Sequence, residues 1–124
     1  MTVHAAVIRT LAPAWLALAV GLPAAQAQSY PTKPVRLVVS FPPGGLADVI
    51  ARLLAQPLGS ALGQNVIVEN RPGGGTVIAT ELVARAPADG HTLLLAGFSF
   101  IANAALRSDL PYDTLKDFAA VARI

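Results

Sequence analysis

Two short segments rich in proline and glycine carry the chemistry that this sequence can offer. They are residues 42–45, "PPGG", and residues 71–76, "RPGGGT". Each follows an apolar run and precedes a run with helical spacing. Glycine lets the main chain approach a ligand closely, and the unpaired N–H groups at a helix start attract an anion. The two segments therefore predict a cradle of main-chain donors suited to a phosphate or a carboxylate.

Motifs that would make this cradle part of an enzyme do not occur. A P-loop needs Gly-Lys-Ser/Thr, and a dinucleotide fingerprint needs G-x-G-x-x-G; neither segment has them. There is no Gly-x-Ser-x-Gly elbow and no cysteine. His91 would open a strand after a turn, where we expect a surface residue rather than a general base. We therefore expect no enzyme, no cofactor and no metal, and keep a phosphate-binding enzyme of the doubly wound α/β class as the alternative.

Three polar side chains near the segments have two interpretations each. Asp48 suits the first turn of its own helix, which we favour, but could also orient a ligand or water. Arg71 could attract an anion or remain a solvated loop charge. Ser99 could donate its hydroxyl to a ligand or cap the segment that follows. The sequence alone leaves these alternatives open.

The elements around the segments alternate between strand and helix. Apolar runs predict strands, and 3.6-residue spacing predicts helices, one of them with Asp48, Arg52 and Gln56 along a polar stripe. This order implies right-handed crossovers and an α/β fold, a parallel sheet with helices on both faces. The predicted strands are 35–41, 65–70 and 91–97, with another starting in 118–124; the helices are 46–56, which Pro57 should kink or end, and 77–86, and a loop leads to a short helix within 98–108.

The first 27 residues predict a secretory signal. Arg9 precedes an apolar stretch at 11–22, and Ala25-Gln26-Ala27 has the small-x-small pattern of a cleavage site. A buried or anchoring helix is the alternative. Removal of this segment leaves eight basic and seven acidic residues, spread singly, so we expect no nucleic-acid partner. The sequence also stops on an apolar run, so we expect residues 28–124 to be the front portion of a longer protein.

Four blocks of the sequence resemble the Bug (TctC-like) family of periplasmic substrate-binding proteins. They are "YPTKPVRLVVSFPPGGLADVIARLLA", "LGQNVIVENRPGGG", "VARAPADGHTLLLA" and "LPYDTLKDFAAVA". The resemblance implies the first part of a type II periplasmic-binding-protein lobe, incomplete over residues 28–124. It also implies periplasmic capture of a small carboxylate ligand, held mostly by backbone amides and waters, for the membrane transporter subunits of a tripartite tricarboxylate system. A truncated remnant without function is the alternative.

The resemblance also implies which residues bind the ligand, and one loop departs from its pattern. Where the family reads Gly, Asn and Gly, this chain has Thr76, Val77 and Ala79. A threonine that needs a positive φ is strained, so we expect strain at Thr76 if it takes the glycine's conformation. Asn103 is expected to open a short helix nearby. The implied ligand-binding residues are Phe41, Pro43, Gly44, Gly45, Asp48, Gly74, Gly75, Thr76 and Ser99.

Overall fold

The computed structural model describes residues 29–124, and the predicted secretory signal lies outside them. Three strands alternate with three helices, as the sequence predicts. A short 3-10 turn at Gly74–Thr76 precedes the second helix. The elements are β1 (Val35–Val39), α1 (Leu46–Leu62), β2 (Val66–Asn70), α2 (Val77–Ala84), β3 (Thr92–Leu95) and α3 (Phe98–Leu106).

The three strands form one parallel sheet in the order β2-β1-β3. Leu37 of β1 is level with Val68 of β2 and Leu93 of β3. Because β2 and β3 lie on opposite sides of β1, right-handed crossovers place α1 and α2 on opposite faces of the sheet. The predicted α/β class is confirmed, and all three strands end at the same edge.

The central strand β1 forms the core. Its valines and Leu37 are buried, which explains why its sequence is nearly continuous in apolar character. On the face covered by α1, Leu37 and Val39 pack with Ala51. Partly buried side chains surround this small cluster: Phe41, Ala47, Val66, Val68, Leu93 and Leu95.

Helix α1 differs from its prediction in length. It passes through Pro57 and ends at Leu62, so Pro57 does not end it. A proline at this position deprives the carbonyl of Leu53 of its intrahelical donor. Leu53 is 70% exposed, and a carbonyl on this side of the helix has access to water. The interruption therefore costs less than it would on the buried side.

The face that α1 turns to the sheet is built from small residues. Ala51 and Asp48 are buried, whereas Val49 and Leu53 of the apolar side are exposed. A strand and a helix approach closely where side chains are small, so Ala51 and Ala47 pack against the core while only part of the predicted apolar stripe is buried. The Asp48 side chain is consequently buried beneath the loop that follows β1.

The last part of the chain differs from prediction as well. Strand β3 ends at Leu95, a third loop of two residues (96–97) follows, and helix α3 begins at Phe98, where a longer loop was predicted; residues 118–124 form no strand. Phe118 instead packs edge-on against the rings of Phe100 and Tyr112, with centroids 5.1 and 5.9 Å apart. Phe118, the first residue of the apolar run, is therefore held by aromatic packing and not by pairing with a strand.

His91 is buried, which contradicts the expected surface position. Its ring lies edge-on to Tyr30, with centroids 5.1 Å apart, and its backbone N–H donates to the Asp89 carboxylate over 3.0 Å. The aromatic contact with the segment before β1 covers it. His91 precedes β3 and thus lies at the sheet edge opposite the glycine-rich loops. Among the described helices, none has the length and apolar character needed to cross a membrane.

Candidate functional site

Three loops meet at the edge where the parallel strands end. The Asn70 side-chain amide donates to the Phe41 carbonyl oxygen over 3.1 Å and joins the first loop to the end of β2. The Phe41 ring packs against Gly97 of the third loop, since a Cβ built there would lie 3.7 Å from the ring. The Asn103 amide of α3 donates to the Gly75 carbonyl oxygen over 2.8 Å. The two glycine-rich loops are therefore at the same edge, as the sequence predicts.

The first loop ends in an open helix N-terminus. Gly45, the N-cap of α1, is extended and supplies no side-chain cap. The first helical bond runs from the Val49 N–H to the Gly45 carbonyl over 3.0 Å. The N–H groups of Leu46 and Ala47 lie in the first turn, where α-helical geometry provides no acceptor. N–H groups in this position can bind an anion. Leu46 as a residue is 79% exposed.

The buried carboxylate of Asp48 fixes the first loop through hydrogen bonds. It is 4% exposed and accepts hydrogen bonds from the Gly44 N–H at 2.9 Å, from Arg52 at 3.0 Å and from the Asn70 amide at 3.0 Å. These three donors occupy the carboxylate. The structure thus supports the favoured interpretation, in which Asp48 serves its own helix and loop.

The same contacts lower the pKa of Asp48 from the usual 3.8 to about 2. Arg52 is the largest cause, followed by the Gly44 N–H and the Asn70 amide, while burial acts in the opposite direction. Each donor stabilises the charged carboxylate more than the neutral acid. The charged form is therefore the one that holds the loop.

Acid should destabilise the fold between pH 4 and pH 2. Because the pKa of Asp48 is lower in the folded chain, its contribution is present above the unfolded value and is lost as the pH falls through about 2. Urea midpoints measured from pH 6 to pH 2 should decline, and Asp48→Asn should flatten part of that decline. Parallel curves for the two proteins would contradict this role.

The second loop is fixed by an unusual backbone. Gly73, Gly74 and Gly75 have positive φ angles, and Thr76 follows at φ 79°, the only such non-glycine residue in the described range 29–124. A β-branched residue is strained there, which confirms the expected strain at Thr76. The Thr80 hydroxyl donates to the Thr76 carbonyl over 2.9 Å, and the Asn103 amide reaches the Thr76 hydroxyl over 3.2 Å. These bonds hold the strained turn.

Arg71 forms an ion pair that it shares with a second arginine. Its guanidinium pairs with Glu69, donating through Nε over 2.6 Å, and Glu69 also accepts from Arg36. Arg36 is the largest cause that lowers the pKa of Glu69, so this carboxylate stays charged between two cations. Because one carboxylate is shared by two guanidinium groups, the cluster keeps a net positive charge, and both interpretations of Arg71 stay open.

Ser99 does not cap the helix it belongs to. Helix α3 starts after its N-cap Gly97, with no side-chain cap, and Ser99 lies within the first turn. The capping alternative is therefore not realised. Asn103 does not open a helix either, because α3 begins five residues earlier.

All nine predicted site residues lie on the three loops or the first helical turns that follow them. Asp48 and Thr76 are buried beneath the surface, and the others of the set are partly or fully exposed. The set is Phe41, Pro43, Gly44, Gly45, Asp48, Gly74, Gly75, Thr76 and Ser99.

Two asparagines matter to this edge and were missed as site residues. Asn70 connects the first loop to β2, and Asn103 connects the second loop to α3. Asn70 was predicted only as the end of a strand. Its position directly before a glycine-rich loop was the available signal, because strand ends of a parallel sheet meet at one edge.

A cavity of about 410 Å3 opens beside the first loop and is lined by Phe41, Pro42, Gly45, Leu46 and Ala47. Its volume is within the range of small-molecule sites. A larger one, about 790 Å3, lies between the later turns of α1 and β2. It lacks the open helix N-termini, so the smaller cavity is the better candidate. Within residues 29–124, no group of histidine, aspartate and glutamate side chains is arranged to hold a metal.

A family model for receptors of the tripartite tricarboxylate transporter family (TctC) matches residues 50–124. A UPF0065 protein of Bordetella bronchiseptica is 50% identical over 117 residues, or 94% of this chain and 35% of that protein. This chain therefore spans about a third of the length of that relative.

Two solved structures are similar to the described fold. The periplasmic binding protein BugD is 40% identical, with a TM-score of 0.68 over 72% of this chain and 30% of BugD. MatC of Rhodopseudomonas palustris, with bound malate, is 40% identical, with a TM-score of 0.67 over 72% of this chain and 31% of MatC. At these identities the likeness is one of sequence as well as of fold.

Proposed function

Since the chain belongs to the family of receptors of tripartite tricarboxylate transporters, we propose that it captures a small organic carboxylate outside the cytoplasm for such a transporter. The observation that carries this proposal is the edge where α1 and α3 both begin without a side-chain cap, beside the glycine-rich loops. Malate in the related MatC supports a carboxylate as the anion.

The carboxylate is held by main-chain groups. The N–H groups of Leu46 and Ala47 donate to one carboxylate oxygen each, and the positive end of the α1 dipole adds a favourable field. Arg52 is paired with Asp48, and Arg71 shares Glu69 with Arg36, so neither is assigned to the ligand.

The cellular role follows from the family rather than from the geometry. We propose that residues 1–27 direct export to the periplasm and that residues 28–124 form the first part of a two-lobed binding protein. Closure of two lobes around a ligand gives a state that the membrane subunits of a transporter can distinguish from the open one. In this scheme the chain binds and releases its ligand and does not transform it.

Calorimetric titration of the purified chain tests the proposal. Malate, adipate and hexanoate represent carboxylates, and inorganic phosphate and ADP represent the ligands of a doubly wound enzyme. We expect saturable binding of at least one carboxylate and binding of phosphate or ADP that is at least about tenfold weaker, because neither glycine-rich loop has the lysine of a P-loop or the spacing of a dinucleotide fingerprint. Tighter binding of ADP than of every carboxylate would overturn the proposal.

A further inference from the structure

The second glycine-rich loop ends in a turn that its last residue does not favour. Thr76 has φ 79° and ψ −6°, and it follows three glycines whose φ angles are also positive. Glycine adopts such angles freely, whereas a residue with a branched Cβ is disfavoured there. The turn at Thr76 therefore exists only as long as other contacts offset its backbone strain.

Two side chains supply hydrogen bonds that offset this strain. The Thr80 hydroxyl donates to the Thr76 carbonyl oxygen over 2.9 Å, but Thr80 belongs to α2 itself, one turn further along. The Asn103 amide comes from another helix, α3, and donates to the Gly75 carbonyl oxygen over 2.8 Å and to the Thr76 hydroxyl over 3.2 Å. Both acceptors that this amide meets belong to the strained turn. The Thr80 bond moves with α2, whereas the Asn103 bonds require α3 to stay in place.

The strain and the hydrogen bonds from α3 are of similar size. A branched residue in the left-handed region costs about as much free energy as one or two net hydrogen bonds contribute. The three glycines before Thr76 accept negative as well as positive φ angles, so the turn can relax without displacing β2 or α2. A turn balanced in this way can open locally when the bonds from α3 are lost.

We propose that Asn103 is a latch for the second loop, which has a held and a released state. In the held state the Asn103 amide keeps Thr76 in its strained conformation; in the released state both bonds are broken and Thr76 returns to a negative φ. A shift of α3 is thereby transmitted to the edge where the strands end, because this loop carries three of the predicted site residues, Gly74, Gly75 and Thr76. The latch does not depend on which ligand the edge binds, so its test is separate from that of carboxylate capture.

Hydrogen exchange of the Thr76 backbone N–H in the purified chain measures the local opening. This N–H donates to the Gly73 carbonyl oxygen over 3.0 Å in the held turn, and the Arg36 N–H of β1 donates to the His91 carbonyl oxygen over 2.8 Å. We expect exchange at Thr76 to be nearly independent of urea at low concentration, because release exposes little surface, whereas exchange at Arg36 should become faster with each addition. An equal response of the two N–H groups to urea would overturn the proposal, since the turn would then open only when the whole chain unfolds.

An alanine at position 103 tests the latch itself. Asn103→Ala should lower the protection of the Thr76 N–H against exchange by about tenfold or more, because the loss of both hydrogen bonds destabilises the held state and not the released one. Ile101→Ala is the control, since Ile101 is an exposed residue of the same helix, and it should change this protection by less than about twofold. Protection in Asn103→Ala equal to that in the parent chain would overturn the role of Asn103.

Glycine and alanine at position 76 test the strain. Thr76→Gly and Thr76→Ala both remove the hydroxyl that Asn103 meets, but only alanine keeps a Cβ at the positive φ. After correction for the exchange rates of the unfolded chain, the N–H of residue 76 should be protected at least about threefold better in the glycine variant. Thr76→Gly should also restore part of the protection that Asn103→Ala removes. Equal protection in the glycine and alanine variants would mean that no strain drives the release, and the proposal would fail.

Discussion

Replacing Leu46 by proline should weaken carboxylate binding by about tenfold or more relative to Leu46→Ala, because hydrogen bonds to a charged group are the strong ones. Proline lacks the N–H that we assign to the ligand, whereas alanine retains it. Both variants lose the leucine side chain, so its apolar contribution cancels in the comparison. Calorimetric titration with hexanoate measures the ratio of the two dissociation constants.

The structure makes proline acceptable at this position. Leu46 is the first residue of α1, where proline is favoured because that N–H has no partner within the helix. Gly45 before it is extended, with φ −81° and ψ 171°, which is the conformation that a following proline requires. Circular dichroism and thermal melts should therefore be similar for the proline and alanine variants. Equal binding by two equally stable variants would exclude the Leu46 N–H as a donor.

The order of elements was predictable because its signals are local. Strand β1 comes from an apolar run that proline and glycine residues follow. These local signals predict where the strand ends without reference to distant parts of the chain. Right-handed crossovers then bring the loops to one edge. That both glycine-rich loops lie at one edge beside helix starts could be predicted for the same reason, since it depends on the order of elements and not on a particular side chain.

The contacts that hold the cradle were not predictable in this way. Asn70 meets the Phe41 carbonyl from 29 residues away, and Asn103 meets Gly75 from 28 residues away. No short-range pattern identifies such partners. Similarly, local rules end a helix at a proline, but α1 continues past Pro57 to Leu62. The packing of α1 through Ala51 and the aromatic contacts of Phe118 are also products of the tertiary structure.

Asn70→Asp should destabilise the chain by about 3 kcal/mol at neutral pH, since it removes two donors from partly buried acceptors and adds a like charge. The Asn70 amide now donates to the Phe41 carbonyl and to the Asp48 carboxylate, 3.1 and 3.0 Å away. An aspartate side chain has the same shape but only accepts. It would place a second carboxylate against Asp48, so the first loop should loosen and carboxylate binding should fall with stability. Urea unfolding at pH 7 measures the loss.

Asn65→Asp is the matched control, because Asn65 is exposed just before β2 and the substitution is chemically the same. We expect it to change stability by about 0.5 kcal/mol or less, as surface substitutions do. The deficit of Asn70→Asp should also shrink from pH 7 to pH 5, because two adjacent carboxylates raise the pKa of one of them and a shared proton relieves the repulsion. A deficit that is equal in both variants, or constant with pH, would mean that Asn70 does not join the first loop to the sheet through its amide.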